Sequence, residues 1–206
     1  MTARNYQKEM DEIIAGLRAE ERRPTLLLHA CCAPCTSGCF ERVYRAFSVT
    51  FYFYNPNITE QAEYEKRLAE LTRFANIVNT DFGGDVSVIT EPYTPDDFLR
   101  IAKGVEDAPE GGERCFRCYA LRLGKTCEYA EDHGFDYFAT TLTLSPLKSA
   151  DKLNETGEAC AANSSVLYLP SDFKKCDGVK RSIELSRTYG LYRQSFCGCT
   201  FARITQ

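Results

Sequence analysis

Cysteine is the residue type whose spacing in this sequence points most directly to chemistry. Cys31, Cys32, Cys35 and Cys39 fall within nine residues, directly after a run of three leucines. Buried structural cysteines are common, but they usually scatter along a chain and rarely gather in a segment that contains proline. The crowding therefore favours a metal or redox site over core packing, which is the alternative interpretation.

A second pair, Cys115 and Cys118, lies at the start of a predicted helix with two residues between the cysteines. One helical turn brings both sulfur atoms to the same side, where they can bind one metal centre. A helix N-terminus also favours the thiolate form that a metal requires. Together with Cys31 and Cys32 this pair supplies four thiolates, the number that an iron–sulfur cluster or a closed zinc site needs. Adjacent cysteines point in different directions, so the alternative is that Cys31 or Cys32 faces a neighbouring metal and that Cys35 or a thiol of the Cys197/Cys199 pair completes the cluster.

The third thiol group is Cys197-Gly198-Cys199, towards the end of the sequence. A disulfide across one intervening residue closes a small, strained ring, and strained disulfides form transiently because they are easily reduced. The pair is therefore suited to a redox relay. The alternative interpretation is two free thiols in a C-terminal segment.

The other cysteines are assigned from the pattern around them. Cys127 and Cys160 match the apolar faces of predicted helices, which indicates small core residues, and Cys39 is expected to pack in the same way. Cys176 lies in a basic loop and is interpreted as incidental. Cys35 stays undecided, because it is close enough to act as a spare ligand or as a contact to a second metal.

The hydrophobic pattern places these cysteines on an α/β scaffold. Strands that alternate with helices predict a Rossmann-like, mostly parallel sheet with helices on both faces. Ligands of such sheets lie at the carboxyl ends of the strands, so we expect a cysteine-rich metal site there. The predicted strands are residues 26–30, 49–54, 86–90, 135–144 and 166–169, and the predicted helices are residues 5–20, 40–47, 61–76, 95–103, 114–133, 148–163 and 179–190.

Length and composition predict one α/β domain over residues 1–206, with an N-terminal helix at 5–20 and a basic C-terminal segment at 171–206. No stretch approaches the roughly 20 apolar residues of a membrane span, and the charged N-terminus lacks a signal peptide. We therefore expect a cytoplasmic protein without a membrane partner. The eleven cysteines are then reduced thiols, which points to metal ligation or catalysis rather than to disulfides.

The net charge of −4 argues against a nucleic-acid partner, but the charge is unevenly distributed. Residues 171–206 carry seven basic against three acidic side chains, whereas residues 91–113 carry seven carboxylates against two basic side chains. Such asymmetry suggests a nucleic-acid-binding face. A solvated helix surface explains it nearly as well.

Several motifs, taken in order, resemble the epoxyqueuosine reductases of the QueH type, a family that modifies tRNA. The resemblance runs from the first predicted strand almost to the C-terminus, and its specificity comes from the coincidence of several motifs. The matching stretches are LLLHACCAPC (26–35), FYNPNI (53–58) with Glu63, Tyr64 and Arg67, KGVEDAPEGGERCFRCYALRL (103–123), DYFATTLTLSPLKSADKLNETG (136–157) and LPSDFKKCDGVKRSIELSRTYGLYRQSFCGC (169–199).

This resemblance implies an oxidoreductase that reduces the epoxide of epoxyqueuosine in tRNA to the cyclopentene of queuosine, with a 4Fe–4S cluster and without cobalamin. The implied partners are tRNA carrying epoxyqueuosine in the anticodon loop and an electron donor that the sequence does not identify. The sequence also leaves open an additional iron beside the cluster. Carried over residue by residue, the cluster ligands are Cys31, Cys32, Cys115 and Cys118, and the redox-active catalytic pair is Cys197 and Cys199.

Polar residues at predicted strand ends and basic residues of the C-terminal segment are candidates for substrate binding. The former can bind the modified base or supply protons, and the latter can bind phosphates. Each has an alternative interpretation as a turn former or a solvated charge. The strand-end candidates are Asn55, Asn57, Thr140, Thr141, Ser145 and Lys148, and the basic candidates are Lys174, Lys175, Lys180, Arg181 and Arg193.

Two other functions are consistent with parts of the pattern. An ATP-dependent tRNA sulfurtransferase also uses a Rossmann-like sheet, but the first strand here leads into CCAPC rather than into a glycine-rich phosphate loop. A zinc- or cluster-containing tRNA-binding protein without catalysis is the second alternative. Zinc leaves a protein colourless whereas an iron–sulfur cluster makes it brown, so the colour of anaerobically purified protein distinguishes these metals.

Overall fold

The structure, a computed structural model, describes residues 4–203; residues 1–3 and 204–206 of the predicted 1–206 domain lie outside the described residues. The strands are β1 (Thr25–His29), β2 (Ser48–Phe53), β3 (Val88–Thr90), β4 (Tyr137–Thr140) and β5 (Leu167–Tyr168). The helices are α1 (Tyr6–Ala19), α2 (Ala33–Val43), α3 (Gln61–Asp81), α4 (Pro95–Ala102), α5 (Glu113–Asp132), α6 (Ala150–Ala161) and α7 (Gly178–Thr188), with 3₁₀ turns at Thr141–Leu144 and Thr200–Arg203.

The strands form one parallel sheet in the order β3-β2-β1-β4-β5, with helices on both faces, which confirms the predicted fold class. Leu26, Leu27 and Leu28 of the central strand β1 are fully buried, as expected for a strand covered on both sides. Leu26 and Leu28 pack in one core layer, and Leu27 packs in the other. The chain order reverses between β1 and β4, so a ligand crevice is expected at their carboxyl ends.

The end of β4 differs from the prediction of a strand over residues 135–144. The strand stops at Thr140, opposite His29, the last residue of β1. Residues Thr141–Leu144 instead form a 3₁₀ turn, in which the Thr140 side chain accepts a hydrogen bond from Leu142 N at 3.1 Å. A strand needs a partner for its backbone hydrogen bonds, and the neighbouring strand does not continue.

Helix α2 begins within the cysteine cluster rather than after it. Pro34 occupies its first turn, where a missing N–H costs nothing, so Cys35 and Cys39 are helical. Cys39 is fully buried in the core, as predicted. The α2 N-terminus is fixed to α7, because the Ser182 hydroxyl donates to the Pro34 carbonyl at 2.6 Å. None of the helices in residues 4–203 is long and apolar enough to cross a membrane.

Candidate metal and redox site

The thiols of Cys31, Cys32 and Cys35 converge at the carboxyl end of β1. Their sulfur atoms all lie within 4.8 Å of one another, and those of Cys31 and Cys32 are 3.8 Å apart. Two thiolates bound to one ion at about 2.3 Å with tetrahedral geometry stand ~3.8 Å apart. The triad thus has the spacing to hold a metal ion, and it is the only such group of three ligands within residues 4–203.

The surroundings of the triad favour one thiolate, at Cys31. Hydrogen bonds from the thiols of Cys32 and Cys35 hold the pKa of Cys31 well below its usual range. The same sharing raises the pKa of Cys32 to about 12 and raises that of Cys35. The Thr141 hydroxyl also lies 3.4 Å from the Cys31 sulfur and accepts the Cys31 backbone N–H at 3.1 Å. The 3₁₀ turn after β4 therefore supports the first thiol of the triad.

A cavity of about 200 Å³ opens beside the triad, and a smaller cavity adjoins it. The larger cavity is lined by all three triad cysteines. The smaller one is lined by Cys115 and Cys118 from the first turns of α5, together with Cys197 and Cys199. The residues common to both walls are Cys197, Arg122, Lys148 and Glu110. The structure thus groups Cys31 and Cys32 with Cys35 at one cavity, and the CxxC and CxC pairs at the next.

The CxC segment is seated on the loop between β2 and α3. Asn57 Nδ2 donates to the Cys197 carbonyl at 2.9 Å, and Thr59 N donates to the Gly198 carbonyl at 3.3 Å. Gly198 has a φ of 98°, and a Cβ atom there would stand 2.7 Å from Ile58 Cγ1. Only glycine allows both this backbone conformation and this close approach.

Arg67 of α3 clamps the same segment from within the protein. Its side chain is 2% exposed, and its guanidinium donates to the carbonyls of Phe196 and Cys197, each at 3.2 Å. Glu63, four residues earlier on the helix, neutralises this buried charge at 2.7 Å. The Tyr192 hydroxyl in turn donates to the Glu63 carboxylate at 3.1 Å. These contacts hold the backbone of the CxC pair at the crevice.

The two CxC thiols differ in acidity. A hydrogen bond from the Cys199 thiol, aided by the Lys148 ammonium, lowers the pKa of Cys197 to about 6. Sharing that proton with Cys197, together with burial, raises the pKa of Cys199. Cys197 is therefore a thiolate at neutral pH with a protonated thiol beside it, which is the arrangement that initiates thiol–disulfide exchange.

A buried polar network lies beneath both cavities, and sequence reasoning did not find it. Arg122 of α5 donates through Nε to His29 Nε2 at 3.3 Å and through Nη2 to Asn55 Oδ1. Asn55 Nδ2 donates to the Ala30 carbonyl at 3.0 Å, and His29 Nδ1 lies 2.9 Å from Thr140 Oγ1. Asn55 and Thr140, both candidates for base binding, thus make hydrogen bonds inside the scaffold.

The basic candidates of the C-terminal segment differ in how they are held. Lys174 pairs with Asp172 at 3.0 Å and donates to the Thr143 carbonyl at 3.1 Å. Arg181 pairs with Glu41 at 2.7 Å. The remaining strand-end and basic candidates are placed as follows: Ser145 and Lys148 line the larger cavity, Arg193 lines it while donating to Ser182 and Ser186 of α7, and Lys175 and Lys180 are exposed.

Seven thiols around two adjoining cavities form a set of soft ligands. Soft thiolate ligands suit zinc or iron–sulfur centres rather than magnesium or calcium. A parallel α/β sheet with such a thiol group at its topological switch point defines the class: a Rossmann-like protein with a cysteine-lined site that could hold a metal ion.

Comparison with known proteins is consistent with this class and narrows it. The family described as epoxyqueuosine reductase QueH matches residues 26–205. The protein of that name from Staphylococcus epidermidis is 41% identical over 204 residues, covering 98% of this chain and 86% of the relative. The Streptococcus pyogenes protein is 39% identical over 202 residues, with 98% and 79% covered. The Thermotoga maritima protein is 33% identical over 183 residues, with 87% and 91% covered.

This chain belongs to the epoxyqueuosine reductase QueH family. The resemblance predicted from the motifs is thereby confirmed. The relatives' names denote an oxidoreductase of queuosine biosynthesis. The site residues that the motifs alone did not assign are Arg122 and Arg67. Arg122 follows Cys118 by four residues and so lies on the same helix face. Nothing in the sequence around Arg67 indicates its contact with Cys197.

Proposed function

We propose that this chain reduces the epoxide of epoxyqueuosine in tRNA to the alkene of queuosine, without cobalamin. The observation that carries the proposal is the position of Cys197. This thiol, whose pKa is lowered to about 6, lines both the cavity beside the cysteine triad and the cavity beside Cys115 and Cys118. A reducing thiol pair and a candidate metal site thus face one crevice, and the names of the relatives supply the substrate.

The reaction balances with one dithiol. Removing the epoxide oxygen breaks two C–O bonds, forms a C=C bond, and consumes two electrons and two protons as water leaves. Oxidation of the Cys197 thiolate and the Cys199 thiol to a disulfide releases two electrons and one proton, and the Lys148 ammonium supplies the second proton. An external donor of two electrons and two protons then returns the disulfide to the dithiol.

The proposed ligands of a 4Fe–4S cluster are Cys31, Cys32, Cys115 and Cys118, which lie on the walls of the two adjoining cavities. When bound, such a cluster would supply electrons singly, and an iron outside this four-cysteine set would supply a Lewis acid. Cys35, within 4.8 Å of Cys31 and Cys32, is available to an additional iron. The donor set, thiolate throughout, fits iron and sulfide.

The chain's other groups have proposed roles around this chemistry. Lys148 lines the crevice as an ammonium, so it can donate a proton to the leaving oxygen, and Ser145 beside it can bind a polar group of the base. Asn57 and Arg67 fix the CxC backbone. Thr141 supports Cys31 by a hydrogen bond.

The proposed tRNA contact is the basic C-terminal segment. Lys175 and Lys180 are exposed, and Lys180 forms no ion pair among residues 4–203, so both ammonium groups are available to phosphates. An anticodon loop is single-stranded, and an unstacked nucleotide can enter a pocket without melting of a duplex. Arg193, on the cavity wall, is positioned to meet the phosphate of such a nucleotide.

The test is an anaerobic assay with tRNA that carries epoxyqueuosine, a chemical reductant and no cobalamin. Mass spectrometry of the released nucleosides should show loss of one oxygen atom with the unchanged protein and with Cys176→Ala, an exposed control. Cys197→Ser should abolish multiple turnover. A colourless protein that binds tRNA and zinc but leaves the nucleoside unchanged would contradict the proposal and favour a binding module.

A further inference from the structure

Arg122 is a buried cation at the wall between the two thiol-lined cavities. Its side chain is 3% exposed and contributes to both walls. Burial of a guanidinium without a compensating anion is costly, because the charge loses its hydration. The groups around the Arg122 guanidinium therefore indicate which negative charge it pairs with.

The hydrogen-bond partners of Arg122 in the scaffold are neutral. His29 Nε2 lies 3.3 Å from Arg122 Nε, which only donates, and 3.2 Å from the Tyr54 carbonyl oxygen, which only accepts. His29 Nδ1 lies 2.9 Å from Thr140 Oγ1, and an imidazole in either tautomer offers the guanidinium no negative charge. Asn55, the other partner, is a neutral amide that accepts through Oδ1. These contacts hold the guanidinium in place and leave its charge uncompensated.

Glu110 lines the same two cavity walls as Arg122, but among the described residues no carboxylate lies within ion-pair distance of this guanidinium. None of the ion pairs formed within residues 4–203 includes Arg122. Arg67, the buried arginine of the neighbouring clamp, does have such a partner in Glu63 at 2.7 Å. The buried Arg67 therefore has a carboxylate partner within the fold, whereas the buried Arg122 does not.

A second arginine at the same cavity has the same property. Arg114 is 2% exposed, lines the cavity of Cys115 and Cys118, and pairs with no carboxylate among the described residues. Its Nη1 donates to the carbonyls of Glu106 and Ala108, but its Nε and Nη2 are buried without a hydrogen-bond partner. The Arg114 guanidinium lies 5.6 Å from the centre of the Phe201 ring. Two guanidinium groups without an ion pair among the described residues thus border one thiol-lined space.

We infer that Arg122, together with Arg114, provides the counter-charge of an anionic thiolate centre held by these cysteines. In this role Arg122 sets the reduction potential of that centre. A fixed cation beside a redox centre favours the state with more negative charge, which is the reduced state. Arg122 is a positioning residue in this role, since its charge acts through the thiolates. The link to epoxide reduction rests on the proposed function, but the charge effect itself does not.

The first experiment uses metal-free, reduced protein, so it needs neither cluster nor substrate. The rates at which iodoacetamide alkylates Cys31 at pH 7 in the unchanged chain and in each variant are measured by fragment-ion mass spectrometry. Arg122→Gln should slow these rates about tenfold or more, because fewer thiolates form without the cation. Arg122→Lys should keep them close to those of the unchanged chain. The control is Arg117→Gln, an exposed arginine on the same helix.

The second experiment measures the midpoint potential of anaerobically reconstituted protein by dye-mediated titration. Arg122→Gln should lower the potential, whereas Arg122→Lys should restore it. If Arg122→Gln does not fold, as judged by circular dichroism, Asn55→Asp replaces it, since an aspartate there pairs with the guanidinium and should lower the potential in the same direction.

Unchanged alkylation rates and potential in folded Arg122→Gln would overturn the inference, and so would an equal loss in Arg122→Lys. A variant that loses only tRNA affinity would assign the arginine to a substrate phosphate instead, which also contradicts the inference. Failure of epoxide reduction with the charge effects intact would count against the proposed function alone.

Discussion

Arg67 Nη1 donates a hydrogen bond to the carbonyl oxygen of Cys197 at 3.2 Å, although 130 residues separate the two along the chain. The arginine is buried on α3, and its charge is neutralised by Glu63. The backbone of Cys197 is therefore fixed, and the residue lines the crevice. Freedom of the thiols is limited to side-chain rotation.

Replacement of Arg67 by Met should destabilise the fold and also impair turnover. Removing one partner of a buried ion pair costs about 3–5 kcal/mol, and loosening a catalytic group by an ångström costs about 100-fold in rate. Denaturant unfolding and single-turnover epoxide reduction measure the two effects. Arg73→Ala is the matched control, because Arg73 also holds C-terminal carbonyls but is 43% exposed. Its loss should cost less than about 1 kcal/mol. Equal effects of both changes would contradict a specific clamp.

Single alanine replacements should identify the metal ligands. If the proposed cluster set is right, Cys31→Ala, Cys32→Ala, Cys115→Ala and Cys118→Ala each lose acid-labile sulfide and most iron, because a cluster needs its thiolates. Iron and sulfide analysis of anaerobically purified protein is the measurement.

Cys35→Ala should keep the sulfide and lose at most the additional iron. The exposed Cys176→Ala serves as the control. Full sulfide in Cys115→Ala or Cys118→Ala, combined with loss of all metal in Cys35→Ala, would instead assign the metal to the triad alone. That outcome is also compatible with the structure, because the sulfur atoms of Cys31 and Cys32 are 3.8 Å apart, the distance expected for two thiolates on one ion.

The scaffold of the site was predictable from sequence because its signals are local. A continuous apolar run predicted that β1 is a buried strand, and the alternation of strands with helices predicted the parallel sheet. The apolar face of the first helix after the cysteines placed Cys39 in the core. The length of β4 was not predictable in this way. Threonine favours strands, yet β4 ends where its neighbour β1 ends, at the pair His29 and Thr140.

The parts of the site that sequence did not predict depend on contacts between distant residues. Arg122 and His29 are 93 positions apart, and Arg67 and Cys197 are 130 apart. Periodicity reports only which residues share a face of one element, so it cannot report which elements meet. The approach of Cys35 to Cys31 could have been predicted from sequence, because a helix that starts at Ala33 directs its first turn towards the preceding strand end.

Alkylation of Cys197 in metal-free, reduced protein should have a midpoint near pH 6. The thiolate is the reactive form, so the rate should rise as the pH rises through the pKa of Cys197, about 6, and level off above it. An unfolded cysteine would need about pH 8.5. Fragment-ion mass spectrometry separates the label on Cys197 from that on Cys199.

Two changes should move this midpoint upwards. Cys199→Ala removes the thiol that donates to the Cys197 thiolate, and Lys148→Met removes the nearby ammonium. Lys125→Met, on the surface of α5, should leave the midpoint unchanged. A midpoint near the unfolded value in the unchanged chain would disprove the assignment of Cys197 as the reactive thiolate.

Charge reversal of Lys175 and Lys180 should weaken tRNA binding for all tRNA sequences alike. Each lost phosphate contact lowers the dependence of log affinity on log salt concentration by about one unit. Filter binding at several salt concentrations measures the affinity and its dependence on salt. Lys174→Glu should lower the stability of the fold in addition, since Lys174 bonds the Thr143 carbonyl. Arg100→Glu, in the acidic segment at 91–113, is the control. Affinity that does not change with salt would rule out this surface.

The two halves of the crevice are far apart in synthesis, since the triad begins at residue 31 and the CxC pair at residue 197. At about 5–20 residues per second, a ribosome needs roughly 8–30 s to pass from one to the other. During that interval the nascent triad has no CxC segment seated against the loop at Asn57. The thiols of the triad lack this cover while the rest of the chain is made. The pace of translation between these points therefore sets the length of that interval.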